Sequence, residues 1–217
     1  MAVFTLLAAI AILLSLGVSG QLHVHTDYTG RIVGGVEARP GEFPFQVFLS
    51  VTKERPVVAM IPHEAYQGDS KLGADVAVLQ VAPPFTLGER VSVAPLPDVG
   101  FDPPAGSTCT ILGWGTTAES GSVSPVLLKA TLQVEGRDVC KEIISGSRPT
   151  AVVDSSVICA GGDGVHDTCQ GDSGGPLYCD GVVAGVVSWG LGCARPGFPG
   201  VYTNVAHWLE WINGHRV

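Results

Sequence analysis

The run Asp167-Thr168-Cys169-Gln170-Gly171-Asp172-Ser173-Gly174-Gly175-Pro176 concentrates a serine, two carboxylates, a cysteine and three glycines in ten residues. A serine hydroxyl becomes a strong nucleophile only when a base accepts its proton and backbone donors stabilise the oxyanion that its attack creates. Glycines on both sides of Ser173 allow a sharp turn that aims the amides of Gly171 and Ser173 at one point. The run therefore predicts a nucleophilic serine with an oxyanion hole; a glycine-rich turn with an ordinary serine is the alternative.

Six further motifs accompany this run. In chain order they are Arg31-Ile32-Val33-Gly34-Gly35, Ala74-Asp75-Val76-Ala77-Val78-Leu79, Leu112-Gly113-Trp114-Gly115, Ile158-Cys159-Ala160-Gly161, Ser188-Trp189-Gly190 and Pro199-Gly200-Val201-Tyr202. Together with the serine run, they resemble the trypsin-like (chymotrypsin-fold) serine endopeptidases in the order of that family. The resemblance covers nearly everything from Ile32 to the C-terminus, and it implies two six-stranded barrels.

Composition agrees with an all-β fold. The chain has 217 residues with 29 Gly and 15 Pro, which favours turn-rich β structure, and 46% apolar residues provide for a sizeable core. The resemblance implies a two-lobed antiparallel β-barrel protein, and we expect its first lobe to span about residues 32–95 and its second lobe about residues 105–203. Apolar residues recur at helical spacing after Asn204, a good N-cap, and predict a short helix over about residues 204–213.

The N-terminal region predicts export. An apolar run over residues 2–16, too short to span a bilayer, precedes the small residues Val18-Ser19-Gly20. We expect residues 1–20 to be a signal peptide and the protein to be secreted and extracellular, with no membrane association after signal removal. Because the positively charged start of a signal peptide is missing, a membrane anchor is the alternative. The net charge of -8 argues against nucleic acid as a partner.

Residues 21–31 resemble an activation propeptide. Cleavage after Arg31 would free an α-amine on Ile32, which is largely cationic at neutral pH. In the family this amine pairs with the carboxylate beside the nucleophile, which is Asp172 in this sequence. The resemblance therefore implies a zymogen, and an ordinary linker with a chance arginine is the alternative.

The segment that carries the general-base histidine in this family is missing. Residues 43–51 match the first barrel strand, but the chain then runs through residues 52–55 into residues 57–63, which resemble a strand well downstream. The first barrel should therefore be incomplete. Asp75 matches the family's triad aspartate, and without an imidazole beside it we expect burial to raise its pKa.

No other histidine of the sequence stands in the context of the missing one. A general base must come within about 3 Å of the proton that it takes. The six histidines are His23, His25, His63, His166, His207 and His215, and none is followed or preceded as in an Ala-Ala-His-Cys segment. We therefore expect the general base to be absent, with Ser173 and Asp75 as the remaining members of the triad.

Asp167 lies six residues before Ser173, where the family places the carboxylate at the floor of its substrate pocket. A desolvated carboxylate pairs well with a guanidinium or ammonium group. Gly190 and Gly200 match the wall positions at which a side chain would block entry. The resemblance thus implies specificity for Arg or Lys, unless Asp167 merely ends a loop.

All six cysteines lie in the second half of the chain. An even number of cysteines in an exported chain indicates disulfides, although the sequence alone leaves every pairing open. The family resemblance implies Cys109–Cys179, Cys140–Cys159 and Cys169–Cys193. Because close cysteine or histidine pairs are missing, we expect no zinc site, and no metal or organic cofactor is implied.

Three functions follow from these observations. The first is a secreted serine endopeptidase that cleaves after Arg or Lys, which without its base should be nearly inactive. The second is a non-catalytic protease homologue that acts by binding. The third is a splice or gene-model variant of an active protease. The expected partners are proteins or peptides that carry Arg or Lys, and protease inhibitors, and the chain should be a monomer.

Overall fold

The computed structural model describes the backbone of residues 5–8 and the structure of residues 32–47 and 57–216. Most of the predicted signal peptide, the predicted propeptide with Arg31, and the histidines His23 and His25 lie outside these residues.

The described elements are ten strands and two helices. The strands are β1 Thr5–Ala8, β2 Val36–Glu37, β3 Val57–Pro62, β4 Ala77–Val81, β5 Thr108–Gly113, β6 Leu128–Glu135, β7 Val157–Ala160, β8 Pro176–Cys179, β9 Val182–Trp189 and β10 Gly200–Asn204. The helices are α1 Arg137–Ser147 and α2 Val205–His215, and a short 3-10 helix spans Ser70–Leu72.

The second lobe is a closed six-stranded antiparallel barrel. Its strands follow the order β6-β5-β8-β9-β10-β7, and β7 pairs back onto β6. Residues of β6 alternate between the interior and solvent, which places Leu128, Ala130, Leu132 and Val134 in the core. The predicted all-β class and the second barrel are confirmed.

The first lobe has three strands in the described part of the chain. They form one antiparallel sheet in the order β1-β4-β3, with Thr5 opposite Gln80 and Ala8 opposite Ala77. Part of the predicted signal peptide thus lies beside β4 as a strand. Val76, the residue before β4, packs onto the second lobe in a cluster with Val186 and Ile212.

The predicted first strand over residues 43–51 is wrong for the part that the structure describes. Residues 43–47 form turns, with the amide of Gln46 donating to the carbonyl of Phe43 at 3.1 Å. The rings of Phe43 and Phe45 pack against Tyr178 of β8, with centroid distances of 6.2 and 5.4 Å. Tertiary packing against the second lobe therefore outweighs the strand propensity of this apolar segment.

The predicted C-terminal helix is confirmed as α2. The side chain of Asn204 caps it by accepting from the amides of Ala206 and His207. Helix α1 was not predicted from the sequence, although its two buried residues, Cys140 and Ile144, are four positions apart on one face.

Three disulfides hold the second lobe together. They are Cys109–Cys179, which joins β5 to β8, Cys140–Cys159, which joins α1 to β7, and Cys169–Cys193. These are the pairs that the family resemblance implies, and no cysteine of the described residues is free.

The barrel core gives a test of the fold. Leu177 in β8 is fully buried among core side chains, so Leu177→Ala should lower the free energy of unfolding by about 3 kcal/mol through lost burial and a cavity. Val99→Ala is the control, because Val99 is 84% exposed and its truncation should change stability by less than about 0.5 kcal/mol. Urea denaturation measures both, and equal losses would contradict the assigned core.

Candidate active site

Ser173 lies in the loop between β7 and β8, which is anchored to β9. The amide of Gly174 donates to the carbonyl of Val187 at 3.0 Å, and the amide of Val187 donates to the carbonyl of Gly175 at 2.8 Å. Ser173 itself is exposed, and its hydroxyl forms no hydrogen bond with a residue of the described ranges. A loop that is hydrogen-bonded to β9 thus presents an accessible hydroxyl.

The backbone before Ser173 adopts a conformation that requires glycine, and it leaves two amides without an acceptor among the described residues. Gly171 has a φ of +94°, and a Cβ there would lie 3.2 Å from the Cα of Gly115, so the position requires glycine. The amides of Asp172 and Gly174 donate within the protein, whereas those of Gly171 and Ser173 have no acceptor among residues 32–47 and 57–216. Two neighbouring amides therefore remain available to a negatively charged oxygen.

Asp172 is a buried carboxylate held by backbone amides. It accepts from the amides of Gly115 at 2.8 Å and Cys169 at 2.9 Å. Burial raises the pKa of Asp172 to about 6, although the two hydrogen bonds work in the opposite direction. A Cβ at Gly113 or Gly115 would overlap the carboxylate, which explains the glycines of the Leu112-Gly113-Trp114-Gly115 motif.

The segment that begins at Ile32 lies beside the loop that carries Asp167. Ile32 is fully buried in the barrel core, and Val33 forms a bridge to Asp167 in which the amide of Asp167 donates to the carbonyl of Val33 at 3.3 Å. The residues that follow the predicted cleavage point are therefore part of the second lobe.

Asp167, the predicted pocket carboxylate, is buried. Its two carboxylate oxygens accept from the amides of Thr168 and Ala194, each at 2.8 Å. Burial raises the pKa of Asp167 to about 6, and the nearby charge of Asp163 adds to this effect. In the described part of the chain no basic side chain pairs with the carboxylate, so it has the capacity to bind a cation.

The two predicted wall glycines differ in their surroundings. A Cβ at Gly200 would lie 3.3 Å from Oδ1 of Asp167 and 3.1 Å from the hydroxyl of Tyr202, so any side chain there would crowd the carboxylate. Gly190 is exposed, and a Cβ there would meet only the carbonyl of Gly192 at 3.3 Å. The buried hydroxyl of Tyr202 has no hydrogen-bond partner among the described residues.

Asp75 lies just before β4 and is held by the second lobe. Its Oδ2 accepts from the hydroxyl of Ser188 at 2.5 Å, and its carbonyl accepts from the hydroxyl of Thr203 at 2.8 Å. Burial raises the pKa of Asp75, as expected, and the Ser188 hydrogen bond partly offsets this effect. No role for Ser188 was predicted from the sequence, although this residue stands in the motif that also contains Gly190.

The four described histidines are engaged elsewhere. Nδ1 of His63 accepts from the amide of Ala65 while its ring packs on Trp208 and Trp211. Nδ1 of His166 contacts the Asp163 carboxylate, and Nδ1 of His207 contacts the Ser155 hydroxyl. Nδ1 of His215 contacts the carbonyl of Trp211. None of these four rings forms a hydrogen bond with Ser173 or Asp75.

The described residues contain neither a metal-binding cluster nor a membrane-spanning helix. Residues 32–47 and 57–216 contain no group of three or more His, Cys, Asp or Glu side chains arranged to hold a metal ion. No described helix combines the length and the apolar character needed to cross a membrane.

Comparison with known proteins identifies the family. The trypsin family model matches residues 52–212. The chain belongs to the trypsin family of serine proteases. It is 36% identical to trypsin-1 of Astacus astacus, covering 84% of this chain and 76% of that relative, and 36% identical to trypsin of Sus scrofa, covering 82% and 74%.

A solved structure agrees with this membership. Mouse neuropsin, described as a serine protease expressed in the limbic system of the brain, superposes with a TM-score of 0.65 at 31% identity, covering 73% of this chain and 70% of that one. Other trypsin-family relatives are matched over a smaller share of their length. The chain spans 60% of trypsin eta of Drosophila melanogaster and 22% of transmembrane protease serine 9 of Rattus norvegicus.

Asp167, the buried carboxylate that is predicted to bind the substrate side chain, gives a pH test. An unfolded aspartate has a pKa of about 3.9, whereas that of folded Asp167 is raised to about 6. The folded state therefore binds the proton more tightly, and this stabilisation is complete below about pH 4 and lost as pH rises through about 6. Between about pH 4 and 6, the wild-type free energy of unfolding should therefore decrease with rising pH, and Asp167 should contribute up to about 3 kcal/mol of this decrease. The Asp167→Asn variant should lack this contribution.

Urea denaturation between pH 4 and 7 measures the difference. Asp69→Asn is the control, because a hydrogen bond from the amide of Lys71 lowers the pKa of Asp69 and its titration lies below the window. A wild-type slope in the Asp167→Asn variant would contradict a raised pKa of Asp167.

Proposed function

We propose that this chain is a secreted, trypsin-like serine protease homologue that retains the nucleophile and an Arg- or Lys-binding pocket but lacks the general-base histidine. It therefore turns over peptide substrates at a very low rate. The observation that carries the proposal is the contrast between its carboxylates. In the described part of the chain, Asp167 is buried with no cationic partner, while Asp75 is paired with Ser188 and with no imidazole.

Substrate binding belongs to the second lobe in this proposal. The Asp167 carboxylate pairs with the guanidinium or ammonium group of the residue before the cleaved bond, and glycine at positions 190 and 200 leaves room for that side chain. The amides of Gly171 and Ser173 bind the carbonyl oxygen of the same residue. Gly200 is the first residue of β10, and the other groups lie on loops attached to the closed barrel.

The proton of Ser173 limits the reaction. Attack on the carbonyl carbon requires transfer of this proton to a base. In the family the base is an imidazole, which is oriented by the aspartate that Asp75 matches. Loss of the base from such a triad costs on the order of a millionfold in turnover, and roughly a thousandfold acceleration over water then remains from the oxyanion hole and binding.

Activation follows the family pattern in the same proposal. Cleavage after Arg31 frees the amine of Ile32, which pairs with the carboxylate of Asp172. Burial of Asp172 supports this pairing, because a buried carboxylate with a raised pKa gains most from an added cation. The ion pair would lower the pKa of Asp172 and fix the loop that carries Gly171 and Ser173.

A binding function is the second candidate. The groups that would hold an Arg or Lys side chain are supplied by the second lobe, so the chain could bind cationic proteins or protease inhibitors without cleaving them. A chain of this kind would arise either as an evolved pseudoprotease or as a splice or gene-model variant of an active protease.

The activity test uses the purified chain after cleavage at Arg31. An arginine p-nitroanilide substrate should be hydrolysed about a millionfold more slowly than by a trypsin with its full triad, because no base accepts the Ser173 proton. The variant Ser173→Ala, which lacks the proposed nucleophile, is the matched control. Rapid hydrolysis that disappears in this variant would contradict the missing base.

A further inference from the structure

Two loops of the second lobe are joined by one carboxylate. Glu119 lies in the loop over residues 116–123, between β5 and β6, and it reaches the loop over residues 190–195, which follows β9. Its Oε1 accepts from the amide of Cys193 at 3.0 Å and from Nε of Arg195 at 3.1 Å, and its Oε2 accepts from Nη2 of Arg195 at 3.1 Å. These hydrogen bonds, led by the one from Arg195, lower the pKa of Glu119, so it is ionised at neutral pH.

The 190–195 loop also supplies a donor to the predicted pocket. The residue between the two partners of Glu119 is Ala194, and its amide donates to Oδ2 of Asp167 at 2.8 Å. Cys193 is in addition bonded to Cys169, two residues after Asp167. Glu119 therefore binds the residues on either side of Ala194, whose amide donates to Asp167.

Gly192 indicates that the contact is built into the loop. Its φ is +88°, and a Cβ at this position would overlap the Glu119 carboxylate and the Arg195 side chain. Only glycine allows the backbone to turn this closely beneath the ion pair.

We propose that Glu119 is a positioning residue for the substrate pocket, which holds the 190–195 loop so that the Ala194 amide stays directed at Asp167. The inference rests on the proposed function, in which Asp167 binds the cationic side chain of an Arg or Lys substrate. Glu119 does not touch the substrate and acts through the loop.

The effect of Glu119 is geometric more than energetic. An exposed ion pair contributes little to overall stability, because solvent screens the charges and ordering two long side chains costs entropy. The 190–195 loop nevertheless donates three hydrogen bonds to this one carboxylate, and they restrict the conformations of the loop. Loss of Glu119 should therefore change pocket binding while leaving the folded state intact.

Benzamidine binding measured by isothermal titration calorimetry is the test, with the full chain cleaved at Arg31. Glu119→Ala should weaken binding about fivefold, the effect of one ordinary hydrogen bond. The benzamidine affinity of Glu119→Gln should lie between those of Glu119→Ala and the wild type, since the amide oxygen still accepts from the Cys193 amide. Asp102→Ala is the matched control: it removes another exposed carboxylate–Arg pair, with Arg137, and should leave binding unchanged.

The pH dependence of binding separates positioning from general destabilisation. Benzamidine needs an ionised Asp167, so wild-type binding should decline as pH falls through about 6, the raised pKa of that group. Asp163, Asp172 and the hydroxyl of Tyr202 face Asp167 and are unchanged in the variants. Weakening the Ala194 hydrogen bond removes a group that favours the ionised form, so Glu119→Ala should move the midpoint to higher pH.

The outcomes are distinct. If the wild type does not bind benzamidine, the proposed function fails and this inference fails with it. If the wild type binds and Glu119→Ala shows the same affinity and midpoint, this inference alone is overturned. Circular dichroism checks that each variant is folded, and Arg195→Ala replaces Glu119→Ala if the latter does not fold, with the same direction of change expected.

Discussion

The pairing of β6 with β7 closes the second barrel, and the rest of the molecule depends on this closure. Val134 lies opposite Ala160 and Glu135 opposite Cys159, so the first and last strands of the barrel satisfy each other's backbone groups. A closed sheet has no exposed edge and encloses one continuous core. The second lobe is therefore a self-contained unit, while the described part of the first lobe is a small sheet that packs onto it.

In the proposed function, this asymmetry between the lobes separates the groups that bind the substrate from the groups that would transfer the Ser173 proton. The amides beside Ser173, the carboxylate of Asp167 and the glycine at position 200 are all fixed to barrel strands or to loops crosslinked by disulfides. Asp75, in contrast, lies in the segment that leads into β4 of the first lobe, and the second lobe holds it through Ser188 and Thr203. Damage to the first lobe should therefore affect the acid–base chemistry before it affects the pocket.

Three carboxylates of this fold are buried at a cost in desolvation free energy. Asp75, Asp167 and Asp172 all have raised pKa values because burial disfavours the charged form. Backbone amides or hydroxyls solvate them, and no Lys, Arg or His of the described residues pairs with any of the three. Such groups are retained where a cation arrives later, and in our proposal these cations are the substrate side chain for Asp167 and the Ile32 amine for Asp172.

The sequence by itself determined the family, the all-β class, the second barrel and the capped C-terminal helix, because these are encoded in local motifs and short periodicities. It also identified Asp167, Asp172 and Asp75 as candidate site residues, each within a recognisable run. Only the tertiary structure decided that Ser188 meets Asp75, 113 positions away, and that Glu119 meets Arg195, 76 positions away. Such contacts depend on the register of strands in a closed barrel and on which loops leave it side by side, and no local pattern specifies either. The turns at residues 43–47 were missed for the same reason, because packing against Tyr178 of a distant strand determines their conformation.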